Sequence, residues 1–155
     1  MNRLSALELI FVAAWLGAAI LVAAVVAPAA FRVLPSRALA GAVVGQVLPT
    51  IFISGLLIAI AAVFIERRAG LGLPLRAWAP FGLMILGCAV AQFVIGSLIL
   101  AIRGSIDDAA IDTLAVTDPR RVRFGKLHGA SVALMGVAMI GAGWAIVRKL
   151  FTLSS

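Results

Sequence analysis

The chain has 155 residues, of which 64% are hydrophobic and 12% charged, and its 13 basic against 6 acidic residues give a formal net charge of +7. Ordinary globular domains carry roughly half apolar and a quarter charged residues, so a single small core in water would leave far too much apolar surface uncovered. A soluble fold is excluded on that count, and no nucleic-acid partner is expected, because no soluble basic face with interleaved aromatic residues is present.

The sequence instead predicts an all-α integral membrane bundle of four transmembrane helices in one domain, 1–155, with spans at about 6–27, 39–65, 81–102 and 120–148. Roughly 20 apolar residues suffice to cross the hydrocarbon core. The first run, Ala6 to Val26, is apolar except for Glu8, and Pro28 closes it, since proline disfavours helical geometry in the residue before it. Arg3 ahead of this run and the triplet Ala27-Pro28-Ala29 imitate a secretory signal. A signal's apolar region is only about 7 to 15 residues long, so the helix is read as retained. Trp15, deep within it, is read as a packing residue.

A short connection with Arg32, Pro35 and Arg37 leads to the second span, Leu39 to Ile65, which contains Pro49 and is ended by Glu66, Arg67 and Arg68. Gly70, Gly72 and Pro74 mark the next connection, and the third span, Phe81 to Ile102, lies between Pro80 and Arg103. Trp78 and Trp144 fall near helix ends, where indole favours the headgroup zone. The longest connection, Arg103 to Lys126, carries Asp107, Asp108, Asp112 and Asp118 ahead of Arg120, Arg121 and Arg123. It reads as a short polar, amphipathic segment: Ser105 with Asp108 resembles a capping box, and Ile106, Ala110 and Leu114 give a weak apolar face suited to the membrane surface. Thr117 or Asp118 then caps the last helix, with Pro119 at its first position. That helix begins in water, ahead of its apolar part, Leu127 to Val147.

Four spans put both termini on one face, called side X here. Its basic residues are Arg3, Arg67, Arg68, Arg76, Arg148 and Lys149, six against the seven of side Y, so the positive-inside rule assigns no orientation. These flanks suit anionic lipid headgroups.

Polar residues inside the spans define the candidate site. Gln46, Thr50 and Ser54 recur every fourth residue on one stripe, and Pro49 removes the hydrogen bond that the Gly45 carbonyl would accept. Gln92 lies near mid-depth, with Cys88 and Gly96 one turn to either side. Arg121, Phe124, His128, Ser131 and Met135 share one face of the last helix. At about 1.5 Å per residue, Gln46 and Ser131 reach similar depth, with Arg32, Arg37 and Arg121 tethered at that mouth. The predicted site is a polar, cationic pocket open to side Y and built from Arg32, Gln46, Gln92, Arg121, His128 and Ser131, since unpaired charged groups facing lipid would cost a few kcal/mol each. Interhelical hydrogen bonding at about 0.6 kcal/mol per bond is the competing reading, and nothing in the sequence separates the two. Gly41 with Gly45, Gly125 with Gly129, and the Ala19, Ala23 and Ala27 ridge are small-residue surfaces for close helix packing, within the chain or between copies, and Pro49 belongs to the same packing set.

Reactive chemistry is sparse. One histidine and one cysteine cannot supply a closed metal site or two axial haem ligands, so no metal and no cofactor is expected, and Cys88 is read as a small buried apolar residue. No carboxylate pair is read at membrane depth, no charge at mid-membrane and no glycine-rich phosphate loop, and His128 with Ser131 lacks a third orienting group. No enzymatic activity is expected.

Ala27 to Pro49, with Pro28, Phe31, Arg32, Leu34, Pro35, Gly41, Val44 and Leu48-Pro49, resembles the first signature of the transmembrane protein 205-like family. Arg123 to Ser131, a basic run into Leu127-His128-Gly129-x-Ser131, resembles its second. The resemblance covers nearly the whole chain and implies four helices with a longer polar stretch before the last. It marks Arg32, Pro35, Gly41, Pro49, His128 and Ser131 as matching positions. Members often carry asparagine four residues after the serine, where this chain has Met135, so a site lined by that amide would be altered or absent here. The family was named as a domain of unknown function and implies no activity. A more distant similarity to copper-resistance membrane proteins and their haem-binding relatives implies a haem or metal cofactor, a lesser alternative that with one histidine and one cysteine would need one-sided ligation or ligands shared between protomers.

Two functions remain. The first is a structural or accessory subunit docking on a larger membrane complex or on lipid, favoured because soluble mass is small. The alternative is a small transporter or permeability protein for a polar or anionic solute, working through the Y-side pocket as a homo-oligomer or with a repeat partner. A bacterial-type inner membrane is the expected location.

Overall fold

The computed structural model describes residues 3–68, 75–106 and 111–153, without the side chains of 75, 76, 152 and 153. Every regular element among them is a helix. Four are long and apolar enough to span a bilayer: α1 (Arg3–Val33), α2 (Arg37–Arg68), α3 (Ala77–Gly104) and α4 (Pro119–Phe151). Large apolar side chains such as Phe11, Phe64, Phe93, Leu100 and Ile140 point outward along these helices. Such a surface suits hydrocarbon, where helices satisfy their own backbone groups. The protein is a multi-pass, all-α membrane bundle.

Helix α1 corrects one sequence expectation, because Pro28 does not close it. A π turn over Val22–Val26, in which the Ala27 N–H donates to the Val22 carbonyl, comes just before the proline. It leaves Pro28 in the first turn of a fresh α-helical stretch, Ala27–Val33, where a missing N–H costs little. Pro35 ends the helix instead, holding Leu34 in an extended conformation at φ −76° and ψ 145°. Ser36 then opens α2 by accepting the Leu39 N–H at 3.2 Å. Pro49 is contained within α2. At the start of α4, Asp118 is the cap: its Oδ1 accepts the Arg120 N–H at 2.8 Å, with Pro119 as the first helical residue. Asp108 and Ala110 of the predicted amphipathic segment lie outside the described residues, Ile106 is buried, and a short 3-10 turn spans Ile111–Thr113.

The core runs along the bundle axis through Val12, Trp15, Phe52, Phe81, Met84 and Cys88, closed by small residues of α4 such as Ala138 and Ala142. Trp15 is only 3% exposed, and its indole N–H donates to the Ile51 carbonyl at 2.9 Å. That reach depends on Gly55, where a Cβ would stand 2.6 Å from the indole ring. Helices α3 and α4 touch backbone to backbone at two levels. A Cβ on Gly87 would meet the Leu134 carbonyl at 2.6 Å, and one on Gly141 would collide with the Pro80 carbonyl. The glycines singled out from sequence sit elsewhere: Gly41, Gly125 and Gly129 face open space, and Gly45 lies beside the Arg103 guanidinium, 3.8 Å from where its Cβ would be.

Candidate functional site

The polar residues drawn most deeply into the bundle are at its X end. Glu8 extends the buried stripe Val12, Trp15 and Ala19 of α1 by one turn, and Glu66 extends Gly55, Ala59 and Ala62 of α2. Lys149 does the same for Ala138, Ala142 and Ala145 of α4. Spacings of four, three and four keep each set on one helical face, so the packing that buries the small residues also carries the charged one inward.

There the three side chains meet. Lys149 Nζ donates to Glu8 Oε2 at 2.8 Å and to Glu66 Oε1 at 2.7 Å, while Arg148 Nη2 donates to the same Glu66 oxygen at 3.3 Å. Both carboxylate side chains are 4% exposed. The Arg148 guanidinium also lies 5.9 Å from the Phe81 ring centroid on α3, and its Nε is buried without a hydrogen-bond partner among the described residues. Two carboxylates against two cations leave the cluster formally neutral, which permits burial that a lone charge would not. At the rim, Arg67 stacks over Trp78 at 4.6 Å, consistent with an interfacial position for that indole. The reading of Glu66 as a flank that ends α2 beside Arg67 and Arg68 is therefore corrected: Glu8 and Glu66 are both buried and share Lys149 near the X ends of the spanning helices. The missed signal was the stripe register, which placed Glu8 in line with Val12, Trp15 and Ala19 and Glu66 in line with Gly55, Ala59 and Ala62.

The residues chosen for a Y-side pocket differ in burial. Arg32 and Gln46 are exposed, Gln92 is half-buried within the π turn Val90–Ile95, and Ser131 is buried against the core. Exposed His128 stacks on Phe124, with ring centroids 6.4 Å apart, and the Arg103 guanidinium stands 6.0 Å from the centroid of the same Phe124 ring. Arg121 is turned back on the preceding loop, donating to the carbonyls of Asp112 at 3.2 Å and Leu114 at 2.6 Å. Ser54, which the stripe with Gln46 and Thr50 made a candidate for interhelical bonding, donates to its own helix at the Thr50 carbonyl, 2.7 Å away. Arg103, Phe124 and His128 thus form a row at the Y end.

A family model described as a domain of unknown function (DUF4149) matches residues 10–106. The chain belongs to this DUF4149 family. No curated protein and no solved structure matches it. In this DUF4149 member the matched region takes in most of α1, all of α2 and α3, and Glu66, whereas Glu8, Arg148 and Lys149 lie beyond its limits. The X-end network thus joins the family region to the helix that follows it.

Proposed function

We propose that this DUF4149 member is a non-enzymatic structural subunit that docks on another membrane protein through the outer face of α4. The observation that carries the reading is the row Gly125, Gly129, Gly136 and Gly143. Turned by about 100° per residue, these four fall on one side of the helix, away from buried Ala138 and Ala142. At each of them a Cβ would meet nothing within 4 Å. Glycines facing outward give a partner helix access to the backbone, the arrangement by which membrane helices associate without a hydrophobic driving force.

The centre of the bundle supports the same reading, because Met84, Cys88, Ala138 and Ala142 are completely buried and occupy the axis a solute would need. The network at the X end ties α4 to α1 and α2, making its outer face a rigid platform. A helical bundle suits a bacterial-type inner membrane, since outer-membrane proteins are barrels. The transmembrane protein 205-like resemblance, carried by the two residue signatures, belongs to this reading and adds no activity to it.

Gentle native purification followed by mass measurement tests the proposal. It predicts a second polypeptide in fixed ratio with the 16.0 kDa chain. Gly129→Leu and Gly136→Leu should strip that partner while folded yield stays unchanged. A pure monomer or homo-oligomer from the native membrane would contradict it.

A further inference from the structure

At the Y end, a crevice of about 290 Å³ opens between the end of α3 and the start of α4. One wall is apolar, from Leu98, Ala101 and Ile102, and the rim is polar, from Ser105, Arg120 and Arg123. The two arginines differ in their freedom. Arg120 is held by Asp118 through Nε at 3.2 Å and Nη2 at 2.9 Å, and its Nη1 is aimed at the Ser105 carbonyl, 3.4 Å away. Arg123, one turn further along α4, is exposed, and no hydrogen bond or ion pair holds it among the described residues. One guanidinium is thus fixed in place and a second stands beside it with no described residue bonded to it, at the mouth of a slot whose inner wall is hydrocarbon.

We infer that this crevice holds an anionic phospholipid, its headgroup phosphate on Arg123 and the outer edge of Arg120 and the start of an acyl chain along Leu98, Ala101 and Ile102. Guanidinium groups match phosphate oxygens with paired donors, and basic pockets between transmembrane helices suit anionic headgroups. The volume has room for roughly ten groups of water's ~30 Å³, enough for a phosphate and the first methylenes beyond it. A free phosphate would satisfy the arginines and leave the apolar wall unused. The lipid uses both, and the crevice lies at the end of the spanning helices, where a headgroup would stand. This assignment is independent of the α4 glycine face, which lies on the other side of that helix.

Native mass spectrometry of the purified full chain, titrated with phosphatidylglycerol and with phosphatidylcholine, is the test. Wild type retains phosphatidylglycerol in preference to phosphatidylcholine. Arg123→Gln lowers that retention about tenfold, as expected for loss of one charge-assisted hydrogen bond. Leu98→Trp, which fills the apolar wall and keeps both arginines, lowers it comparably, and Ala101→Leu serves if the tryptophan variant does not fold. Arg37→Gln, an exposed basic residue outside the crevice, leaves it unchanged. Equal losses in Arg37→Gln and Arg123→Gln would reduce the effect to general surface charge and overturn the site. Inorganic phosphate binding equally to wild type and Leu98→Trp, without preference between the lipids, would show the arginines taking a free anion and would also overturn it.

Discussion

The two ends of the bundle are built from the same residue types in opposite ways. At the X end Lys149 is bound to Glu8, 141 positions away in sequence, and to Glu66, 83 away, with both carboxylates buried. At the Y end the charges bond close to home: exposed Arg120 with Asp118 two positions away, and half-buried Arg121 with carbonyls seven and nine positions away. An exposed local pair adds little to a fold, because water screens it and holds its partners almost as well. A buried pair drawn from three helices cannot lose one member without leaving a charge stranded. Charge at the X end therefore fixes the relative positions of the helices, and charge at the Y end is left for surfaces and ligands.

Removing one member of the buried set should break this contrast most severely. Lys149→Met leaves Glu8 and Glu66 without their shared cation and is expected to cost about 3–5 kcal/mol of stability in a detergent unfolding titration. Replacing Arg120 by Met at the other end should cost far less in the same titration. Backbone contacts come next in size. Gly87→Ala drives a methyl to 2.6 Å from the Leu134 carbonyl and should cost about 1–3 kcal/mol, whereas Gly136→Ala, in open space, should stay within about 0.5 kcal/mol of wild type.

Smaller still is the cap of α4. The Arg120 side chain, and then its backbone N–H, hold the Asp118 carboxyl below its ordinary range. A lowered folded-state pKa means that this contribution is full above the unfolded value and disappears as pH falls through the folded one. Protection factors of the Arg120 and Arg121 amides, measured relative to the intrinsic exchange rate at each pH, should accordingly fall in acid, and Asp118→Ala should show at neutral pH the lowered protection that the native chain shows in acid. The least effect is expected at the exposed Y-side residues: Gln46→Leu and His128→Leu should shift unfolding by no more than about 0.5 kcal/mol.

Much of the fold was legible because it follows from local rules. Apolar runs located all four spans, and Asp118 with Pro119 marked where α4 begins ahead of its membrane portion. Pro28 misled because a preceding π turn absorbs it, a rearrangement no residue pattern in that segment announces. The X-end network was hidden for a different reason. Glu66 stands next to Arg67 and Arg68 in sequence and reads with them as a flank, yet its position on the helix circumference aligns it with Ala59 and Ala62. Conversely, Gln46, Gln92 and Ser131 were matched by depth, yet Gln46 is exposed, Gln92 half-buried and Ser131 buried, because depth along a helix does not say which side of it faces the bundle. Gly87 and Gly141 each have an alanine four positions on, Ala91 and Ala145, a spacing too common in this chain to single them out, and their importance emerges only from the helix each one touches.

A double-mutant cycle between Glu8 and Lys149 tests most directly whether buried charge holds the helices in register. Unfolding free energies of Glu8→Gln, Lys149→Met and the double variant would be compared under one detergent condition. Coupling across α1 and α4 predicts that the double variant loses less than the two single losses combined, by about 1 kcal/mol or more. Single losses that add to within about 0.5 kcal/mol would contradict it, and the X end would then contribute no more to the bundle than the exposed charges of side Y.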